Sequence, residues 1–344
     1  MKSSTAGICR TRYNKCVNET KSNGFCNRCI YCIGVKQAGA AACTHDIGIG
    51  GAAMLLKNSD LWFSEYYMDD DVKLSLKIDE VLHVEQTPFQ KLEMFRNETY
   101  GVFMVLDGYT QVTEKDEFVY HDMICHPAMC VNPDIKNVLI IGAGDGGTAR
   151  EVARYKSIEK IDMVEIDEAV VRACQKFMPT TSSVFTSEPR LNLMFDDGLK
   201  FVKEAPTGAY DLILVDSTDP AGPGEGLFTV GFYQDCFRVL SDKGILINQH
   251  EGAFYEGDIE EMKKAHGKIK KTFPIAKVFG FNTPTYASGY WYFGFASKAL
   301  DPVKDMKPEA WNELGLETRY YNTELHKGAF ALPNYVKEIL ASVE

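Results

Sequence analysis

Five largely apolar stretches of this sequence end in acidic or amide side chains. Asp145 follows Val138-Leu139-Ile140-Ile141. Glu165 ends the run that starts at Ile161, and Asp196 and Asp197 follow residues 190–195. Asp216-Ser217-Thr218-Asp219-Pro220 follows 210–215, and Gln249, His250 and Glu251 close 244–249. Short continuous apolar runs are expected as buried parallel strands. In an open α/β sheet a ligand binds outside the carboxyl ends of such strands. A single acid there would be a helix cap or a solvated turn. Acids at all five ends of one rim predict a site for a ligand that carries positive charge.

The first run opens into Gly142-Ala143-Gly144-Asp145-Gly146-Gly147, a G-x-G-x-x-G match. Glycine lets the backbone turn tightly and approach a ligand with no Cβ in the way. A helix is predicted behind the turn, and Glu165 lies at the end of the next strand, where it can accept from both hydroxyls of a ribose. Asp197 can accept from an adenine amino group. Together they predict a nucleoside site. A carboxylate at Asp145 would repel a phosphate, which disfavours a dinucleotide, and would repel the carboxylate of S-adenosylmethionine. It would attract the amine of a ligand lacking that carboxylate. One unit-charge contact at about 4 Å and an effective dielectric near 20 is worth roughly 4 kcal/mol, enough to separate the two ligands.

The elements that must position these groups alternate. Strands are predicted at 137–141, 160–165, 190–195, 210–215 and 244–249, and helices at 146–156, 167–177, 197–203, 229–240 and 256–272. That is a parallel sheet covered on both faces. Strands 275–281 and 290–297 flank a turn and read as a closing hairpin, and two short helical pieces end the chain. Before this domain, Val72 to Leu76, Glu80 to Gln86, Lys91 to Arg96, Val102 to Leu106 and Tyr109 to Val112 read as a small antiparallel β unit. A helix from Tyr120 to Cys130 follows and stops at Asn132-Pro133. The predicted division is a Cys-rich extension at 1–58, a β domain at 59–130 and a Rossmann-like α/β domain at 131–344.

The chain has 344 residues, 45% apolar and 25% charged, with net charge −11. That balance is ordinary for a soluble globular protein and excludes a general nucleic-acid binder. The longest apolar candidate, Ile33 to Leu56, is interrupted by Lys36, His45 and Asp46, so no membrane span is expected. Met1 to Asn14 has no apolar core for a signal peptide, so the cytoplasm is the expected compartment. Six of the ten cysteines precede residue 44. Cys26, Cys29 and Cys32 form a C-x-x-C-x-x-C run that can hold a metal or contribute to a cluster, with Cys16, Cys43 or His45 as a fourth ligand. With no second C-x-x-C pair, a loose extension with free thiols, Cys9 among them, stands beside that reading. Cys125, Cys130, Cys174 and Cys236 read as buried small apolar residues.

From Trp62 to about Val343, more than four-fifths of its length, the chain resembles the spermidine synthases, a family of polyamine aminopropyltransferases. The resemblance is carried by Leu61-Trp62-Phe63-Ser64-Glu65, Phe89-Gln90, Leu106-Asp107-Gly108, Thr113 to Phe118 and Tyr120-His121. It continues through the glycine turn, Glu165-Ile166-Asp167, Asp197-Gly198, Asp216 to Pro220, Pro223, Pro284-Thr285-Tyr286 and Tyr320-Tyr321-Asn322. It implies transfer of an aminopropyl group from decarboxylated S-adenosylmethionine to putrescine, giving spermidine and methylthioadenosine, by a homodimer or homotetramer with no cofactor. Carried over by position, Gln90, His121, Asp145, Glu165, Asp197, Gly198 and Pro223 would hold the nucleoside donor. Tyr120, Asp216, Asp219 and Tyr286 would hold the amine, with Asp216 as proton acceptor. Trp62 and Gln249 are further candidates for lining the amine channel. Ala143 and Asp196 depart from the family's usual glycines, and the Cys-rich extension has no counterpart.

The implied chemistry agrees with the residues. The carbon beside a sulfonium is already activated and calls for no metal. The attacking amine, with a pKa near 10.4, needs roughly 4–5 kcal/mol to free its lone pair at pH 7, and Asp216 can bind, orient and deprotonate it. Two rival readings are a small-molecule methyltransferase on the same fold, against which Asp145 argues, and a non-catalytic metal-binding scaffold, against which Asp216, Asp219 and Tyr286 argue. Every residue given a role lies at Trp62 or later. A chain starting near Ser59 is therefore expected to keep full transferase activity, with metal content measured on both forms. Loss of activity from a truncated but folded protein would show that the extension completes the site.

Overall fold

The computed structural model describes residues 61–67, 71–218 and 222–343, with backbone only at 222 and 223. The Cys-rich extension, Asp219 and the Pro223 side chain lie outside the described residues. Strands β1 (Leu61–Tyr67) and β2 (Val72–Ile78) form an antiparallel ribbon. Strands β3 (Glu80–Gln86), β4 (Lys91–Asn97), β5 (Gly101–Leu106) and β6 (Tyr109–Thr113) form a four-stranded antiparallel sheet in sequence order. Period-two alternation sorts their side chains. Leu92, Met94, Met104 and Leu106 pack on the helix α3 (Glu168–Phe177), while Phe95, Phe103 and Val105 pack on Leu76 and Ile78 of the ribbon. β1 is an addition to the predicted set.

The second sheet has seven strands: β7 (Asn137–Gly142), β8 (Lys160–Glu165), β9 (Leu191–Phe195), β10 (Tyr210–Asp216), β11 (Leu240–Gly252), β12 (Ile275–Phe281) and β13 (Trp291–Ser297). Their order is β12-β13-β11-β10-β7-β8-β9. β7 to β11 run parallel, and β13 is antiparallel to both β11 and β12, the predicted hairpin. This is the Rossmann-like arrangement with an antiparallel pair at one edge.

Helices α1 (Glu117–Val131), α2 (Gly147–Ala153), α4 (Pro179–Ser182), α5 (Val184–Ser187), α6 (Gly198–Glu204), α7 (Val230–Val239) and α8 (Glu256–Lys270) surround the sheet, and α9 (Pro308–Glu313), α10 (Thr323–Ala329) and α11 (Asn334–Ala341) follow it. Alternate strand residues serve opposite faces. Val138, Ile140, Leu212 and Leu214 join α1 and α2, whereas Leu139, Ile141, Ile213 and Val215 join α6, α7 and α8. Each such side chain contributes about 1.5–3 kcal/mol on burial. α1 begins three residues before its predicted start, a shift that proves to matter at the site. Three helices rather than two end the chain. Asp122 of α1 anchors that end by accepting from the backbone N–H groups of Arg319, Tyr320 and Tyr321 at 3.2, 2.8 and 3.1 Å. No helix among the described residues is long and apolar enough to cross a membrane.

The glycine turn after β7 is seated on the end of β10. The Ala143 N–H donates to the Asp216 carbonyl at 2.8 Å, and a Cβ on Gly142, whose φ is 85°, would lie 2.0 Å from the same oxygen. Ala143 itself has φ 65°. The residue that departs from the family's usual glycine thus occupies a left-handed position that disfavours any Cβ by about 1–2 kcal/mol. Gly142→Ala is therefore expected to destabilise the protein by roughly 2 kcal/mol or more. Ala143→Gly is expected to be neutral or to gain up to about 1 kcal/mol. Urea denaturation of both variants checks the pair, and equal losses would show that the turn is free to shift.

Candidate active site

The chain leaves β7 toward β8 on one side of the sheet and leaves β10 toward β11 on the other. A crevice opens at that switch point, beyond the carboxyl ends of the strands. There the structure has a cavity of about 1120 Å³, mouth included, lined from both sheets. Of the residues proposed from sequence, Gln90, Tyr120, His121, Asp145, Glu165, Asp197, Gly198, Asp216, Gln249 and Tyr286 all line it. Trp62 does not; it stands 54% exposed on β1. Asp219 and the Pro223 side chain cannot be placed, being outside the described residues.

One end of the cavity is walled by the glycine turn and the ends of β8 and β9. Glu165 is buried, with Oε1 accepting from the Asp167 N–H at 2.8 Å. Burial drives its pKa up, to about 7, against the backbone hydrogen bonds that lower it. Asp167 caps α3 by accepting from the Ala169 N–H at 3.1 Å. Its other oxygen accepts from Thr87 Oγ1 at 2.7 Å and Gln90 Nε2 at 3.1 Å. This fixes the Gln90 side chain against the wall, where it lines the cavity. Asp197 caps α6 through the Leu199 N–H at 2.8 Å, leaving Oδ2 for a ligand. Asp196, the departure next to it, pairs with Lys200 at 3.2 Å on an exposed face and does not line the cavity.

At the other end stands Asp216. Tyr120 Oη donates to Oδ1 at 2.8 Å, and Thr148 Oγ1 donates to Oδ2 at 2.6 Å. Tyr120 Oη also lies 3.1 Å from Gln249 Oε1. Its ring is held edge-on by Phe293, 4.9 Å between centroids, and by Tyr286 at 6.2 Å. The Tyr286 hydroxyl donates to the Gln111 carbonyl at 2.7 Å. Burial and the Asp145 charge raise the Asp216 pKa, opposed by His121, Thr148 and Tyr120. A carboxyl so raised is a stronger base than an exposed one. Burial beside Asp216 also raises Tyr120 well above the ordinary phenol value, so it stays an O–H donor.

Between the two ends runs a chain of ion pairs. Asp145 accepts from the Gly147 N–H at 2.5 Å, and its other oxygen lies 3.3 Å from His121 Nε2. His121 Nδ1 meets Glu117 Oε2 at 2.5 Å, and Glu117 is held by the Arg150 guanidinium at 2.9 and 3.1 Å. Burial would lower the His121 pKa. Asp145 and Glu117 outweigh it and raise the value well above that of a free imidazole, so the ring is an imidazolium. Burial likewise opposes Glu117, but His121 and Arg150 bring it down to about 2. Gly147 makes room for this ring: a Cβ there would lie 2.1 Å from His121 Cε1. Asp145 thus has a counter-ion that sequence reasoning did not supply, and its repulsion of a carboxylate is weaker than that of a lone charge.

Residues 61–114 match the spermidine synthase tetramerisation domain, and residues 117–307 match the spermine/spermidine synthase domain. The chain belongs to the spermine/spermidine synthase family. It is 60% identical over 285 residues to the polyamine aminopropyltransferase of Clostridium acetobutylicum, covering 83% of this chain and 99% of that one. It is 55% identical over 285 residues to that of Alkaliphilus oremlandii, with the same coverage of 83% and 99%. The crystal structure of a spermidine synthase in complex with the transition state analogue AdoDATO superposes with a TM-score of 0.80 at 42% identity, covering 83% of this chain and 96% of that one. The Thermotoga maritima spermidine synthase gives 0.78 at 42% identity, covering 82% and 94%. As a family member the chain is an enzyme, an aminopropyltransferase of polyamine synthesis.

Sequence reasoning gave no role to Thr148, Glu117 or Asp116. Starting α1 at residue 117 would have put Glu117 four residues before His121, one turn below it on the same face. Asp116 ties β6 to the Tyr286 loop, accepting from Thr113 Oγ1 at 2.7 Å and from the Thr285 N–H at 3.0 Å. Asp122, His126 and Glu151 are also brought together, their ligand atoms within 4.8 Å of one another. Arg150 and Arg154 already balance Glu151 at 3.0 and 2.6 Å, and burial's pull on His126 is overcome by its neighbours, so the trio is an ion-pair cluster.

Because Glu165 ionises near 7 in the fold against an ordinary 4.5, its contribution to stability is fully present below the lower value and is lost as pH rises through the upper one. Glu165→Gln removes that loss. In ligand-free protein the variant is expected to gain on wild type from about pH 5 to about pH 8, by up to about 3 kcal/mol. Thermal melts of both across that range check it; a difference independent of pH would mean that Glu165 ionises as an exposed carboxyl does.

Proposed function

We propose that this enzyme transfers the aminopropyl group of decarboxylated S-adenosylmethionine to putrescine, giving spermidine and methylthioadenosine, with Asp216 as proton acceptor. The observation that carries the reading is the Asp216 carboxylate at 2.8 Å from Tyr120, across one cavity from the nucleoside wall of Glu165 and Asp197. The AdoDATO complex of a structural relative is consistent with it.

In this reading Glu165 takes the ribose hydroxyls, Asp197 and Gly198 face the base, and Gln90, His121, Asp145 and Pro223 complete the donor site. Asp216, Asp219, Tyr120 and Tyr286 take the diamine. Asp216 accepts the ammonium proton, and the freed lone pair attacks the propyl carbon next to the sulfonium. The N–C bond forms as the C–S bond breaks, and its electron pair returns to sulfur as a neutral thioether. No cofactor takes part in these steps. Among the described lining residues His121 is the single cationic side chain, against Asp116, Glu117, Asp145, Glu165, Asp197 and Asp216. That balance favours two cationic substrates over the carboxylate-bearing donor of a methyltransferase. The proposed assembly is a homodimer or homotetramer, supported by the tetramerisation-domain match and by Trp62 and Tyr66, which are 54% and 46% exposed on β1. The proposed compartment is the cytoplasm.

The test is release of methylthioadenosine from the decarboxylated donor with a panel of amines. Putrescine is expected to be the best acceptor, and no release with any amine would end the reading. Asp216→Asn is expected to lower turnover by roughly 10²–10⁴-fold while donor binding persists. A near-wild-type rate at pH 7 would remove Asp216 as the base.

A further inference from the structure

We propose that Thr148 is a positioning residue for Asp216, building the base onto the same rigid turn that holds the donor. The proposal rests on Asp216 being the proton acceptor. Thr148 is the second residue of α2 and is fully buried, and it does not line the cavity. Its hydroxyl reaches Asp216 Oδ2 at 2.6 Å from behind, while Tyr120 holds Oδ1 at 2.8 Å from the substrate side. The Asp216 carbonyl is held by the Ala143 N–H at 2.8 Å. Residues 143 and 148 of one turn-and-helix segment therefore grip the main chain and the side chain of Asp216 together. Tyr120 and Gln249 line the cavity and meet the amine; Thr148 is the hydroxyl partner that substrate does not reach.

A carboxylate held on one oxygen turns about its Cβ–Cγ bond, so loss of the Thr148 hydroxyl leaves the accepting oxygen misdirected. It also removes a donor that favours the ionised form. The other groups facing Asp216 are Asp145 from the glycine turn and Glu165 from β8, which disfavour its charge, and His121 and Tyr120 from α1, which favour it. Deleting the Thr148 donor thus moves the ionisation of Asp216 to higher pH. Threonine is a middling helix former, and the methyl of valine would fill the same space, so helix formation alone does not require this hydroxyl.

The experiment compares Thr148→Val, Thr148→Ser and Asp216→Asn by kinetics in the amine at saturating donor, across pH, with donor affinity measured by titration. Saturating donor covers Glu165, which would otherwise titrate in the same range. Thr148→Val is expected to lose roughly tenfold to a hundredfold in kcat/KM for the amine. Its acidic limb should shift to higher pH at nearly unchanged donor affinity. Thr148→Ser should restore both the rate and the limb. If the valine variant does not fold, Thr148→Ala against Thr148→Ser gives the same comparison. Wild-type kinetics without the hydroxyl, or a loss with an unmoved limb and no rescue by serine, would overturn the proposal while Asp216→Asn remained inactive. An active Asp216→Asn would instead remove the base reading on which the proposal stands.

Discussion

The glycine turn after β7 and the end of β10 meet backbone to backbone, with the Ala143 N–H on the Asp216 carbonyl and Gly142 pressed against the same oxygen. β7 and β10 are paired there in register, Gly142 opposite Asp216, at the place where the connections diverge. Because no side chain intervenes, the glycine turn and the Asp216 carboxylate at the strand end face one small volume. The rest of the site accepts that geometry. α1 supplies Tyr120 and His121 from one side, β8 and β9 carry Glu165 and Asp197 outward, and β11 brings Gln249.

Close packing of so many acids needs compensation, and the structure provides it within α1 and α2. Two carboxylates within a few ångströms cannot both stay ionised cheaply. The imidazolium of His121 lies between Asp145 and Glu117, and Arg150 neutralises Glu117 in turn. Glu165 and Asp216 are both raised, and for Asp216 the nearby His121 offsets burial and the Asp145 charge only in part. The pocket is therefore uneven: a middle of paired, balanced charges lies between two ends, each with a carboxyl raised by burial.

Much of this was legible in the sequence because the large sheet is made of short apolar runs and the acids sit at their ends, where topology alone makes them converge. The strands from 137 to 297 lie close to their predicted places for that reason. What was not legible depends on tertiary context. The start of α1 at Glu117 has no capping side chain to announce it, since Asp116 is committed to Thr113 and Thr285 instead. The left-handed backbone at Ala143 cannot be inferred from alanine. Thr148 looks like any helix residue until Asp216, 68 positions later, folds onto it. The roles of Asp219 and of the Cys-rich extension stay as read from sequence, outside the described residues.

Asp167, two residues beyond Glu165, links the two sheets. One of its oxygens caps α3, the other is gripped by Thr87 and Gln90 from the loop between β3 and β4, and its own N–H binds Glu165. The cavity wall that holds Gln90 and Glu165 is therefore complete only when the small sheet is docked on the large one. By linkage, a ligand that needs the finished wall also favours the docked arrangement over any partly opened one. A ligand held by that wall would act as a clamp on the architecture, making local opening of the small sheet rarer with the ligand bound than without it.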